Sequence, residues 1–264
     1  MTEILGNNFF FDWEIRLMEW LQSAVGSEGP LLSILSSLSA FGEQLLLVLV
    51  MGFLYWGWNK EFGKYVGVNV LVASVWNPLI KNIVMRLRPY FASEKIQLLR
   101  KLEPDADIMD VAAQGYSFPS GHSSNAVSLY GSLAAHEKKS RLLWVLAVLL
   151  PLLVGFSRVV VGAHYPTDVL CGWALGLIVV LLVPWLRRRL PRPAFYAVLL
   201  LTALPGFSTA PAAITTPPSA CCWAFSWRRP LRRSSSASKA PTIFCAASCA
   251  PWAAPRSTSG WTRF

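Results

Sequence analysis

The sequence predicts an all-α fold: a polytopic transmembrane helix bundle of about six spans, preceded by an N-terminal interfacial helix. Two observations carry this expectation. Of the 264 residues, 54% are hydrophobic and only 14% charged, against about 25% charged in an ordinary soluble domain. The apolar residues also fall in long unbroken runs rather than alternating. That pattern favours helices over a β-barrel as the structure that satisfies its backbone in lipid.

The elements follow in order from the breakers along the chain. Residues 9–25 mix aromatics with charges, and Phe10, Trp13, Leu17, Trp20 and Leu21 recur at helical spacing. This is the pattern of an amphipathic helix that lies in the membrane interface or packs on the bundle. Gly26 to Pro30 break it. The first span is expected at 42–58, ending in the aromatic-rich FLYWGW that suits an interfacial belt. Further spans are expected at 62–82, from Pro119 to His136, at 141–161 and at 168–186, with a short sixth at 193–206. Asn77 and Pro78 interrupt the second span, as a kink or a simple break. Gly172 and Gly176 in the fifth are spaced to let a neighbouring helix approach. Glu3, Asp12, Glu14, Arg16 and Glu19 crowd the first twenty residues, so no cleavable signal peptide is expected and the first span would direct insertion.

The net charge of +10 is read by location, not as a nucleic-acid signature. Residues 1–206 hold 17 Lys and Arg against 14 Asp and Glu, whereas residues 207–264 hold 7 basic residues and no acid. Lys60 and Lys64, then Lys138, Lys139 and Arg141, then Arg187, Arg188, Arg189 and Arg192 occupy three joints on one side of the bundle. Positive joints mark the cytoplasmic face. The opposite side carries the loop 83–118 and the short loop 158–167, with Arg86, Arg88, Lys95, Arg100, Lys101 and Arg158. Basic residues there point to an anionic substrate. The domains are thus a bundle at 1–206 and a basic low-complexity tail at 207–264. The tail reads either as disordered or, the favoured reading, as out-of-frame translation beyond a frameshift near Gly206. Its Cys221, Cys222, Cys245 and Cys249 have no zinc-site spacing, and Cys171 stands alone in an apolar run. No metal or other cofactor is expected.

Three clusters on the second side carry chemistry. In Lys81-Asn-Ile-Val-Met-Arg-Leu-Arg88-Pro89, seven residues are close to two helical turns, so Lys81 and Arg88 share a face if the helix continues that far. An ammonium and a planar guanidinium suit phosphate oxygens; the plainer reading is two cations snorkelling at a helix end. In Ser117-Phe-Pro119-Ser120-Gly121-His122-Ser123, Pro fits a helix start, Gly121 admits a ligand to the backbone, and free N–H groups make an anion site. The plainer reading is a loop cap. In Ser157-Arg158-Val-Val-Val-Gly-Ala-His164-Tyr-Pro-Thr-Asp168, a helical turn would bring Asp168 to the His164 imidazole. A carboxylate accepting from one ring nitrogen fixes the tautomer and leaves the other as a nucleophile. Such a pair is also found as a structural element, but a cation six residues before it in an apolar chain argues for a site.

Lys-x6-Arg-Pro, Pro-Ser-Gly-His and Ser-Arg-x5-His-x3-Asp, in this order over 81–168, resemble the three signatures of the type 2 phosphatidic acid phosphatase superfamily, whose active site is similar to that of the vanadium haloperoxidases. The resemblance implies an integral-membrane, metal-independent phosphatase acting on a lipid phosphate or pyrophosphate, in a bacterial inner membrane with the site facing outward. It implies that His164 forms a phosphohistidine, Asp168 holds its imidazole and His122 protonates the leaving oxygen. Lys81, Arg88 and Arg158, with Ser120 and the Gly121 N–H, would hold the phosphate. Nucleophile and acid together would give a bell-shaped rate profile with pH. The alternatives are a phosphotransferase with the same site and an anionic-lipid transporter in which the cations line a path. The sequence leaves the oligomeric state, the lipid, and the choice between mono- and pyrophosphate open.

Overall fold

The computed structural model describes residues 6–26, 28–100 and 107–208; the expectations for the tail beyond 208 fall outside these. The order is α1 (Asp12–Val25), α2 (Pro30–Leu38), a 3-10 turn (Ser39–Gly42), α3 (Gln44–Gly52) running into a π-helical turn (Phe53–Trp58), and α4 (Lys60–Val84). Two short helices follow, α5 (Pro89–Ala92) and α6 (Val111–Gln114), then α7 (Gly121–His136), α8 (Arg141–Val160), α9 (Pro166–Arg189) and α10 (Arg192–Ser208). Among the described residues there is no strand, only an isolated bridge between Asn7 and Arg86. The all-α fold is as expected.

Polar caps set the helix starts. Asn59 Oδ1 accepts the N–H groups of Glu61 and Phe62 at 2.8 and 3.1 Å ahead of α4, and Ser140 Oγ accepts that of Leu143 ahead of α8. Each satisfies N–H groups that a first turn leaves without a carbonyl. By length and composition, α8 and α9 can each cross a membrane; α2 to the 3-10 turn and α3 to the π-helical turn pass the same test only as a pair, bent by 49°, either one broken span or a re-entrant loop. The segment expected as a span at 42–58 is the second half of this pair. Serines at 33, 36, 37 and 39 mask its first half in the sequence, since serine competes for backbone bonds outside helices. Here the Ser36 and Ser37 hydroxyls both donate to Ser33 O and remain within the helix.

α7 stands at the centre, packed on α4, α8 and α9. Its serine-rich surface is packed against protein, and several of its polar groups find partners inside, although the buried Ser128 hydroxyl does not. Asn69 Nδ2 donates to Ser132 Oγ at 2.8 Å, and Asn77 Nδ2 to Ser124 Oγ at 3.3 Å. Leu47, Phe62, Val66, Val70, Ala126, Leu129 and Val154 fill the space between α3, α4, α7 and α8. Met18 and Leu21 of α1 pack with Val159, Val160, Tyr165 and Val169, while Trp13, Leu17 and Trp20 on its other side are exposed. The helix thus packs on the bundle, one of the two expectations for it, and leaves an aromatic-rich side exposed. Exposed Leu142, Val145, Val148, Leu149, Leu170, Leu177 and Leu181 give α8 and α9 apolar outer faces.

The basic joints cluster at one end of the bundle. Arg187 lies 3.8 Å from Glu61, and His136 stacks on Phe62 with ring centroids 4.1 Å apart. At the opposite end, glycines let α9 reach the start of α7. A Cβ on Gly172 would stand 2.6 Å from Ser120 O, and one on Gly176 2.7 Å from Ser124 O. Gly172→Ala should therefore push the first turn of α7 off α9. A destabilisation of about 1–3 kcal/mol is expected for such overpacking, read as a lower melting temperature of the detergent-solubilised protein.

Candidate active site

His164 sits in the turn between α8 and α9 and is 2% exposed. The turn is closed by Arg158 O, which accepts the N–H groups of Ala163 and His164 at 3.1 and 3.3 Å. Gly162 makes it possible: φ is +77°, and a Cβ there would lie 2.3 Å from Gln97 O. α9 then opens with Tyr165 as N-cap and Pro166 in its first turn, and Asp168 Oδ2 accepts the Tyr165 N–H at 2.9 Å. His164 and Asp168 therefore straddle a helix start instead of sharing a helical turn. His164 Nδ1 is 3.8 Å from Asp168 Oδ2, too far for the direct hydrogen bond expected from the spacing. Ser117 intervenes. Its hydroxyl donates to Asp168 Oδ2 and lies 3.4 Å from His164 Nδ1.

The cations converge differently from the expected shared helix face. α4 ends at Val84, and Met85 takes a left-handed conformation with φ 49°. Arg88 thus lies beyond the helix. Lys81 Nζ donates to Tyr116 O at 2.5 Å and Ser117 O at 3.3 Å. Arg88 donates to Gln114 O, Gly115 O and Ala163 O at 2.6, 2.9 and 2.9 Å. Both grip the segment 114–117 and retain unused donors, since an ammonium offers three N–H groups and a guanidinium five. Arg158, 2% exposed, has Nε and Nη2 buried with no hydrogen-bond partner. Orphaned guanidinium donors of this kind fit an anion.

The third part is the start of α7. Ser120 donates its N–H to Asp168 O at 3.0 Å, and its hydroxyl accepts from Ser123 N–H and Ser123 Oγ–H at 3.4 and 2.9 Å. The side chain thus serves as the N-cap while its own O–H stays available to donate, and the first-turn N–H groups of Gly121 and His122 stand beside it as further candidate anion donors. Asn77 holds this turn in place: its Nδ2 donates to Pro119 O at 3.3 Å, and a Cβ on Gly121 would stand 3.3 Å from its Oδ1. The residue read as a kink or a break is a clamp. His122 is half-buried on the same turn.

Burial first, and then Arg88, Lys81 and Arg158, hold the His164 imidazole well below its ordinary 6.5. Three cations from separate segments thus act on one neutral ring. Among the described residues no three His, Cys, Asp or Glu side chains group as a metal ion requires; the anion-binding groups are cations and N–H donors. Two contributors escaped the sequence reading. Ser117 lies inside a motif but looked like loop, and Arg86, read only as one loop cation among several, donates to Asp168 Oδ1 at 2.6 Å.

The PAP2 superfamily model matches residues 62–192. Phosphatidylglycerophosphatase B of Bacillus subtilis is 32% identical over 44% of this chain and 53% of its own length. Undecaprenyl-diphosphatase of Sulfolobus acidocaldarius is 28% identical over 53% and 62%. The chain thus spans little more than half the length of these relatives. A crystal structure of a transmembrane PAP2 type phosphatidylglycerolphosphate phosphatase from Bacillus subtilis superposes with a TM-score of 0.51 at 25% identity, covering 69% of this chain and 90% of that one.

A bound phosphate dianion would offset the cations that keep His164 neutral. In histidine-labelled protein titrated by NMR, the His164 ring should show a pKa below 6.5 that rises when inorganic phosphate is added. Arg158→Gln should weaken that response.

Proposed function

Because the chain belongs to the PAP2 superfamily, we propose that it is a phosphatase hydrolysing a lipid phosphate or pyrophosphate through a phosphohistidine on His164. It is an integral membrane protein, as its apolar helices and membrane relatives agree. The observation that supports the chemistry best is the neutral, buried His164 ring backed by Ser117 and Asp168 and faced by three cations, one with orphaned donors.

The reaction follows from this arrangement. With Nδ1 turned toward Ser117 and Asp168, Nε2 of His164 carries the lone pair. It attacks phosphorus while the bond from phosphorus to the leaving oxygen breaks, and His122, protonated once the bound phosphate offsets the surrounding cations, gives that oxygen a proton. Water, deprotonated by His122, then attacks the phosphohistidine; inorganic phosphate leaves and both histidines return to their starting states. Phosphoryl transfer depends on in-line placement and on neutralised equatorial oxygens. Lys81, Arg88, Arg158 and the N–H groups at the start of α7 supply these, so activity should not require a divalent metal. The alternative phosphotransferase would use the same first step.

A glycerolipid phosphate or an isoprenoid pyrophosphate is the substrate class. The names of the relatives, phosphatidylglycerophosphatase B and undecaprenyl-diphosphatase, support it. So does a site at one end of a bundle whose outer faces are apolar. The basic joints gather at the other end, which supports a site facing outward from a bacterial inner membrane.

The test is phosphate release from phosphatidic acid, phosphatidylglycerophosphate and undecaprenyl pyrophosphate by purified protein in EDTA. Release is expected from at least one, falling to background in His164→Ala. Release that needs added metal, or that survives in the mutant, would overturn the mechanism. Phosphate transferred to an added alcohol instead of water would favour the phosphotransferase. The acid limb of kcat/KM should lie below 6.5: attack needs the neutral ring, and the neutral form persists until the pH falls through the depressed pKa.

A further inference from the structure

Glu14 on α1 is fully buried, lies outside the family-matched segment 62–192, and binds Arg86 and Thr167. Its Oε2 accepts from Arg86 Nη2 at 2.8 Å and from Phe11 N–H at 3.0 Å. Its Oε1 accepts from Thr167 N–H and Thr167 Oγ–H at 3.2 and 2.5 Å. Arg86, 1% exposed, is held on every side. Nη1 donates to Asp168 Oδ1 at 2.6 Å and Thr167 Oγ1 at 2.8 Å, and Nε donates to Phe9 O at 2.9 Å. The guanidinium carbon lies 3.8 Å from the centroid of the Tyr165 ring and 4.6 Å from that of Phe9. The Arg86 backbone O accepts the Ser117 N–H at 2.8 Å. Glu14 and Asp168, the buried carboxylates among the described residues, thus both bind Arg86 directly.

A buried ion-pair triad does not by itself stabilise a fold better than apolar packing would. What distinguishes this one is its last member. Asp168 has one oxygen on Arg86 and the other on Ser117 and Tyr165 N–H, 3.8 Å from His164 Nδ1. Rotation of that carboxylate would carry Oδ2 and the Ser117 hydroxyl away from the ring. Arg86 blocks the rotation, and Glu14 fixes the fork of Arg86.

We propose that Glu14 and Arg86 are positioning residues for the His164 reaction, with α1 supplying from outside the family-matched segment a carboxylate that orients Asp168 through Arg86. The inference rests on the phosphatase reading above. It makes α1, whose other side exposes Trp13 and Trp20, part of the reaction apparatus as well as a membrane-surface element.

The experiment uses the full chain in detergent and whichever of phosphatidic acid, phosphatidylglycerophosphate and undecaprenyl pyrophosphate the wild type hydrolyses fastest. Glu14→Gln and Arg86→Lys keep size and polarity but break the charge or the fork. Each should lower kcat by roughly 10- to 100-fold with KM changed less than about two-fold, the scale of a small misplacement at a reacting centre. Glu14→Asp should recover a large part of kcat. Melting temperatures, measured alongside, separate this from loss of fold. Unchanged kcat per folded molecule in Glu14→Gln and Arg86→Lys would overturn the proposal while leaving the phosphatase reading intact. Should those two variants fail to fold, Thr167→Val decides. It removes a partner of both Glu14 and Arg86 without touching a charge, so a fall in kcat alone supports the proposal and an unchanged kcat overturns it. A wild type inactive on all three lipids would bring down the phosphatase reading and this proposal with it.

Discussion

Everything at the site end of this bundle depends on holding cationic side chains where water does not reach. Arg86, Arg88 and Arg158 are each at most 3% exposed, and ions taken out of water are costly unless paired or hydrogen-bonded. Among the described residues, only Glu14 and Asp168 are buried beside them as carboxylates, and both bind Arg86. Arg88 and Lys81 rely on the carbonyls of 114–117 and 163, and Arg158 keeps donors with no partner at all. The result is a local excess of positive charge that an anionic phosphate would complete. Burial and the same excess together hold His164 neutral, so one arrangement serves both the proposed anion binding and the proposed nucleophile.

The carbonyls that receive Lys81 and Arg88 explain how irregular backbone persists here. A non-helical segment within a membrane protein is tolerated only where its polar groups find partners in the protein. Segment 114–117 finds them in the cations, and the cations find acceptors in the segment. The turn at 162–164 repeats the exchange, with Ala163 O on Arg88 and the Ala163 and His164 N–H groups on Arg158 O. The helices bring these two turns together. α7 is seated against α9 by Gly172 and Gly176, and Asn77 pins its first turn to α4.

Most of this was legible wherever the information is local. Spacing within short motifs marked out His164, Asp168, His122, Lys81, Arg88 and Arg158, and continuous apolar runs marked the bundle. Errors arose where spacing was converted into shape. Lys81 and Arg88 share a helix face only if the helix continues that far, and Met85 in a left-handed conformation ends α4 between them. His164 and Asp168 were given a helical turn, yet the Tyr165 cap falls between them and leaves Ser117 as the intermediary. Ser120, read as a phosphate ligand, is also an N-cap, a role in which its hydroxyl accepts and keeps its own O–H to give. Glu14 carried no signal at all. A single acid on an amphipathic segment reads as solvated surface, and its partner Arg86 is 72 residues away.

Asp168 is where the two halves of this structure meet. Its Oδ2 faces the proposed chemistry through Ser117, and its Oδ1 faces the N-terminal helix through Arg86. A carboxylate held at both oxygens cannot turn, so the orientation of one ring depends on a helix that lies far from it in sequence. That helix buries Glu14, Met18 and Leu21 and exposes Trp13 and Trp20, a division suited to the boundary between lipid and water. The proposed lipid phosphate would reach such a site from the bilayer surface, headgroup first. The element that would meet the surface and the carboxylate behind the proposed nucleophile are therefore joined by two buried ion pairs, Glu14 to Arg86 and Arg86 to Asp168.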